Sequence, residues 1–188
     1  LRIARAIASR CRWPPESCAP GAVSIVSYPF GRRRMMSCTL AARAAFRRSL
    51  AFPPGAYPRA MPYVEPFLAK GDWRQEEREA HYLVAALYAL KDGDHQVGRT
   101  LARALWEKAQ GSASVEKRFL ALLEADRDQI AFRLRQAVAL VEGGIDFARL
   151  LDDLLRWFSP ERHVQARWAR EYYGAGASEE EKKKEVEA

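Results

Sequence analysis

Few side chains in this sequence stand where they could run a reaction. His81, His95 and His163 lie far apart, and none is followed at i+4 by a metal-ligating residue, so capping or surface roles suit them better than coordination. Asp152 and Asp153 are adjacent, and helical neighbours diverge by about 100°, so they cannot face one substrate as general acid and base. Phosphate-cradling Gly loops, HExxH and CxxC pairs and a GxSxG elbow are all absent from the chain. Cys11, Cys18 and Cys38, an odd set, are spaced for neither zinc nor a disulfide framework. Their confinement to the first 40 residues leaves a cysteine-free body suited to a reducing compartment. The expectation is a protein without catalytic residues, metal or cofactor. Cations remain: Arg43, Arg47 and Arg48 in one short stretch, Lys117 and Arg118 in a second, and Arg133 and Arg135 in a third. Guanidinium groups neutralise phosphates and stack on bases, so these residues could serve a polyanion. The alternative is that they are the solvated faces of amphipathic helices, balanced by Glu116, Glu124, Asp126 and Asp128.

The overall charge does not decide between these readings. The chain of 188 residues has a formal net charge of +7, but residues 1–40 contain seven Arg and a single acid, Glu16. The remaining 148 residues are nearly neutral, so basicity in the folded part must be a local patch. Arg is abundant and Asn absent, a weak sign of a hot-adapted source. No apolar run approaches the ~20 residues a membrane span requires, so a soluble, cytoplasmic protein is expected.

The elements that must position these cations are helical. Residues 1–40 are Pro-broken and acid-poor, like an organellar transit peptide in composition; they are read as an irregular leader, disordered or foreign to the protein, in which only Ala22–Val26 could form a short element. From Ala41 to Leu50 the chain is Ala-rich and helix-favouring, with Arg43 and Arg47 on one face. Pro53, Pro54, Pro58, Pro62 and Pro66 then predict an extended connector, pinned to the core by Phe52, Tyr57, Tyr63 and Phe67. Asp72 should cap a helix from Trp73 to Lys91, ended by Gly93. A second helix is expected over His95–Gln110, with Val97 in its apolar stripe. The stretch from Val115 to Val141 has two helical stripes, Val115, Phe119, Leu122 and Leu123, then Ile130, Leu134, Ala137, Val138 and Val141. Asp146 should cap a helix burying Phe147, Leu150, Leu151, Leu154 and Phe158. Ser159–Pro160 should open a last one carrying Val164, Trp168 and Tyr172. The charged tail, 175–188, is expected to be frayed. The fold class is all-α: two small antiparallel bundles, 41–111 and 112–174, joined at the Gly111–Ser114 hinge.

The segments AARAAFRRSL, PPGAYPRAMPYVEPFL, HYLVAALYAL, EKRFLALLEADRDQIAFRLRQAVALV, IDFARLLDDLLRWF and VQARWAREYY, in this order over about residues 41–173, resemble the CasB family. CasB is the small subunit of Cascade, the type I-E CRISPR surveillance complex. The resemblance implies a helical, non-enzymatic subunit. Its partners would be guide RNA and target DNA, the large subunit, the backbone subunits and a second copy of itself. The family's basic segments fall here on Arg43, Arg47, Arg48, Lys117, Arg118, Arg133 and Arg135, implying a groove that holds opened DNA without reading its sequence. Members normally open with a Leu- and aromatic-rich amphipathic helix, whose place the Arg-rich leader takes here. The competing expectation is a helical adaptor making protein contacts only. A helix-turn-helix regulator fits less well, since no helix pair presents a polar recognition face after a tight Gly turn.

Overall fold

The computed structural model describes residues 40–69 and 71–186, with side chains to residue 175. Its helices are α1 (Leu40–Ser49), α2 (Met61–Leu68), α3 (Gln75–Leu90), α4 (Leu101–Ala109), α5 (Ala113–Leu123), α6 (Ile130–Leu140), α7 (Phe147–Leu154) and α8 (His163–Val186), with a 3-10 turn at Pro58–Ala60. Among the described residues there is no strand, only an isolated bridge between His95 and Ile145. The fold is all-α. The leader expected over 1–40 lies, up to residue 39, outside the described residues.

Helix α3 is buried on every side from Ala80 to Ala89 and apolar at each of those positions but His81, and such a helix must be interior. It packs against α1 and α2 on one side and against α6 and α7 on the other. The α4 helix packs on α5, α6 and α8, and buried residues from Ala42 to Tyr172 form one apolar cluster. The chain turns at Gln110 and Gly111, which both take positive φ, and the helices on either side of that turn share the one cluster.

Several boundaries differ from expectation, each for a local reason. The first turn of α3 starts at Gln75 instead of Trp73, because the Glu77 carboxylate accepts the Arg74 N–H at 2.9 Å and fixes the entry there. The His95–Gln110 helix begins only at Leu101, where the Thr100 hydroxyl accepts from the Arg103 N–H. Residues 95–99 spend their backbone groups on another loop: Gln96 N–H donates to Ile145 O at 3.1 Å, and Asp146 N–H to Arg99 O at 2.8 Å. Val97, expected inward, is therefore 85% exposed at the tip. The proline-rich connector contains α2 after all. Pro62 sits in its first turn, where no N–H is needed, and only Pro66 lies farther inside. Ser159–Pro160 makes a turn instead of a helix start, closed by Arg162 N–H donating to Ser159 O, and α8 opens at His163. The chain bends after Leu154, so Phe158 faces solvent and Trp157 takes the inward place. The tail runs on as helix to Val186, consistent with its run of strong helix formers and its Glu-to-Lys i,i+4 spacings.

Two polar clusters lock the packing. Asp153, buried at the α7–α8 interface, accepts from Trp168 Nε1 at 2.6 Å and pairs with Arg167, while Trp168 meets Trp157 edge-on at 5.0 Å. On the other side, Glu65 of α2 accepts from the Tyr82 hydroxyl at 2.6 Å and pairs with Arg78 of α3. The Tyr82 hydroxyl bond, aided by Arg78, holds the Glu65 carboxyl below its ordinary 4.5, and burial pushes the Tyr82 hydroxyl up. Among the described residues no helix is long and apolar enough to cross a membrane.

Two predictions follow from these clusters. Asp153→Ala strands both Trp168 Nε1 and Arg167, and chemical denaturation should register a loss of about 3 kcal/mol. Glu65 has a depressed pKa in the fold, so its stabilisation is present above the unfolded value and disappears as pH falls below about 4.5. Glu65→Gln should thus be less stable than the parent at pH 7, with the two converging in denaturation series as pH falls through the lowered pKa of the folded carboxyl.

Candidate nucleic-acid interface

Helix α1 buries Ala42 and Phe46, one turn apart, against α3. The following residue of each turn, Arg43 and Arg47, is thereby carried toward the end of α3. There Arg43 Nη1 lies 3.4 Å from Asp92 Oδ1, Arg47 pairs with the same oxygen, and Arg47 Nε donates to Ala89 O at 2.9 Å. Cations beside the last carbonyls of a helix are favourable, and Asp92, at φ +56, holds them there. A single exposed carboxylate faces two guanidiniums, so the cluster keeps a positive charge. Arg48 adds another, projecting into solvent without an ion pair among the described residues.

On α5, Val115, Phe119 and Leu122 turn inward, leaving Lys117 and Arg118 exposed and unpaired among the described residues. On α6, Arg135 is exposed and its Nη1 donates to Leu50 O at 3.2 Å, joining α6 to the end of α1. Arg133 is half-buried, and its Nε lacks a hydrogen-bond partner. Of the seven arginines and lysines singled out in the sequence, the structure draws Arg43 and Arg47 onto one carboxylate and brings Arg135 to the chain just beyond Arg48. Among the described residues no hydrogen bond or ion pair ties Lys117 and Arg118 to them.

A cleft of about 830 Å³ opens between α3, α6 and α7 beside the end of α1. Of those seven residues only Arg135 lines it. Arg74, Arg127 and Arg156 reach the same cleft, and of these sequence reasoning passed over Arg74 and Arg156. Arg156 stands in the bend after α7, where the sequence predicts a helix running on to Phe158. The cleft is not cationic in balance. Arg127 pairs with Glu76 at 2.6 Å and Glu79 at 3.4 Å, Arg74 pairs with Glu77 at 3.2 Å, and Asp128 also lines the wall.

Other charged groups are used structurally. Arg99 binds Glu107 and donates to the carbonyls of Glu142 and Gly144, at 2.8 and 2.6 Å. Lys91 Nζ donates to Val141 O, and burial lowers its pKa. His81 packs edge-on against Trp73 with Nδ1 2.6 Å from Glu77 O, and His95 Nδ1 accepts the Phe147 N–H at 3.2 Å. Among the described residues no three His, Cys, Asp or Glu side chains converge as a metal site would require.

The family model for CRISPR-associated protein Cse2 matches residues 42–173. Among solved structures, CasB from Thermus thermophilus is 98% identical, with a TM-score of 0.70 over 71% of this chain and 86% of that one. CasB from M. ruber is 35% identical, with a TM-score of 0.66 over 76% and 89%. A chain of a CRISPR RNA-guided surveillance complex is 25% identical, with a TM-score of 0.62 over 77% and 88%. The helical order from α1 to the first turns of α8 is the stretch that the family model matches, and the chain belongs to the CRISPR-associated Cse2 family.

Proposed function

We propose that this chain is a non-enzymatic, cytoplasmic small subunit of a type I-E RNA-guided surveillance complex, where it bridges subunits and helps hold opened target DNA. Its partners in this reading are guide RNA and target DNA, the large and backbone subunits and a second copy of itself. The observation that carries it is membership of the Cse2 family, with a relative in a CRISPR RNA-guided surveillance complex. Support for direct DNA contact comes from Arg48, Lys117 and Arg118, exposed and unpaired among the described residues, and from the excess positive charge where Arg43 and Arg47 share Asp92. Such contacts bind phosphates without reading bases, while guide pairing supplies specificity. A protein-only adaptor is the second reading, favoured by the structural use of Arg43 and Arg47 at the end of α3.

Reconstitution of the complex with and without this chain, scored for stable opening of target duplex, tests the assembly role. DNA contact by the free chain should be weak, sequence-tolerant and salt-dependent. The triple charge reversal Arg48→Glu, Lys117→Glu, Arg118→Glu should weaken filter retention of single-stranded DNA at least about tenfold and flatten the log–log salt slope by roughly 2, at about 0.7 per lost phosphate contact. These side chains are exposed, so the thermal midpoint should barely move. Unchanged retention would leave the adaptor reading. Asp92→Asn suits the positive φ and releases both guanidiniums. It should raise retention several-fold at low salt in the same assay, an effect that a purely structural role for Arg43 and Arg47 would not produce.

A further inference from the structure

Among the described residues the exposed aromatic side chains are Phe52, Phe132 and Phe158, which line the cleft, and Tyr173, which stands apart from it on α8 and is 51% exposed. The Tyr173 ring is held from two sides. Its hydroxyl donates to Glu116 Oε1 of α5 at 2.9 Å, and it meets the Tyr172 ring at 5.1 Å and 81°. Tyr172 is buried and stacks on Phe119 of α5 at 4.2 Å, so the support behind Tyr173 is core. An exposed side chain fixed in this way has little freedom left to lose when a partner lies on its face.

The surroundings of the ring are apolar at the centre and cationic at the edges. Helices α5 and α8 run antiparallel here: Glu116, near the start of α5, meets Tyr173, and the Leu123 carbonyl at its end accepts from Arg162, just ahead of α8. Leu120, 41% exposed and one turn on from Glu116, therefore lies on the flank that faces Tyr173 and widens the apolar spot. Lys117 follows Glu116 on the outer face of α5, and Arg170 stands one turn before Tyr173 on the outer face of α8. Both are exposed and without an ion pair among the described residues. Of the carboxylates nearby, Glu116 is engaged by the Tyr173 hydroxyl, and Glu124 stands at the far end of α5 from Tyr173.

An apolar spot of one ring and one leucine is far smaller than the roughly 800 Å² that each partner contributes to a stable protein interface. A fixed aromatic face between cations is instead the arrangement that holds single-stranded nucleic acid without regard to sequence, bases stacking on the ring while the backbone meets the charges. We propose that Tyr173 is a stacking platform for an unpaired base of single-stranded DNA, with Lys117 and Arg170 meeting the phosphates beside it. The proposal rests on the reading of this chain as one that holds opened target DNA, and it adds a contact that closed duplex, whose bases stack on each other, does not offer. The platform thereby favours opened over closed DNA while remaining blind to sequence.

Filter retention of a single-stranded oligonucleotide by the full 188-residue chain, compared with an abasic strand of equal length and phosphate number, tests it. Tyr173→Ala should weaken binding of the base-bearing strand at least about fivefold and leave the abasic strand within about twofold of the parent. Tyr173→Leu, apolar but without an aromatic face, should behave like Tyr173→Ala, whereas Tyr173→Phe keeps the ring and should stay within about twofold of the parent on both strands. Arg170→Glu should weaken both strands alike and flatten the log–log salt slope by roughly 0.7. All these positions are exposed, so circular dichroism of the variants should match the parent. Equal loss on both strands in Tyr173→Ala, or loss on neither, overturns the platform. If the Arg48, Lys117 and Arg118 reversal still weakens retention, only the platform falls; if that reversal also changes nothing, the DNA-holding reading falls with it.

Discussion

The burial of α3 on all its faces is the constraint to which the rest of the molecule answers. A helix apolar right round its circumference from Ala80 to Ala89, at each position but His81, cannot lie on a surface, so helices must be found for every side. Phe46 of α1 and the Glu65–Tyr82 bond of α2 close one flank, and Phe147 of α7, edge-on to Tyr88 at 5.4 Å, closes another. Its ends lie nearer solvent: the Arg74 N–H at the start of α3 is met by Glu77, and the last carbonyls are met by the turn through Gly93 and by Arg47. Loss of any one of these neighbours would expose apolar surface that no other element can reach.

That requirement gives Arg43 and Arg47 their structural work, and it bears on the charge they present. Packing Ala42 and Phe46 inward leaves no choice about where the next residue of each turn goes: toward the carbonyl end of α3. A neutral side chain there would leave those carbonyls poorly served, whereas a guanidinium both donates to Ala89 O and meets the negative end of the helix dipole. Asp92 compensates only part of the charge. Helix capping and phosphate contact therefore do not exclude each other at this site, since one carboxylate against two fixed cations leaves an electropositive ridge held in place at little entropic cost.

Much of this was legible in the sequence, and the exceptions share a cause. Stripes long enough to repeat gave α3, α5, α6 and the inward face of α7, because burial of Phe119, Leu134 or Leu151 depends only on helical periodicity. Boundaries went astray wherever a distant segment claimed the backbone. Residues 95–99 could have continued α4, but Ile145 and Asp146, some fifty positions away, take their hydrogen bonds. Phe158 fits a stripe projected from Leu154 that the chain does not follow, and α2 forms because its prolines fall where missing donors matter least. The basic residues were legible as a set, but their grouping was not, since which cations meet depends on helix packing. Arg156 stands in a bend where the sequence predicts helix.

The partial neutralisation of the apolar cleft is the last consequence. Were all four arginines around the cleft of Phe132 and Phe158 unpaired, one surface would have to satisfy a phosphate backbone and an apolar partner at once. Each would desolvate the other's polar or apolar groups without compensation. Instead the carboxylates of Glu76, Glu77 and Glu79, all in the first turns of α3, neutralise two of the four arginines around the cleft while strengthening the N-terminal end of the same helix. Lys117 and Arg118 stand on α5, away from that cleft lining, with no carboxylate to hold them among the described residues. A nearly neutral body in this way keeps an apolar concavity apart from these exposed cations, and changes in ionic strength should act on the second while leaving the first almost untouched.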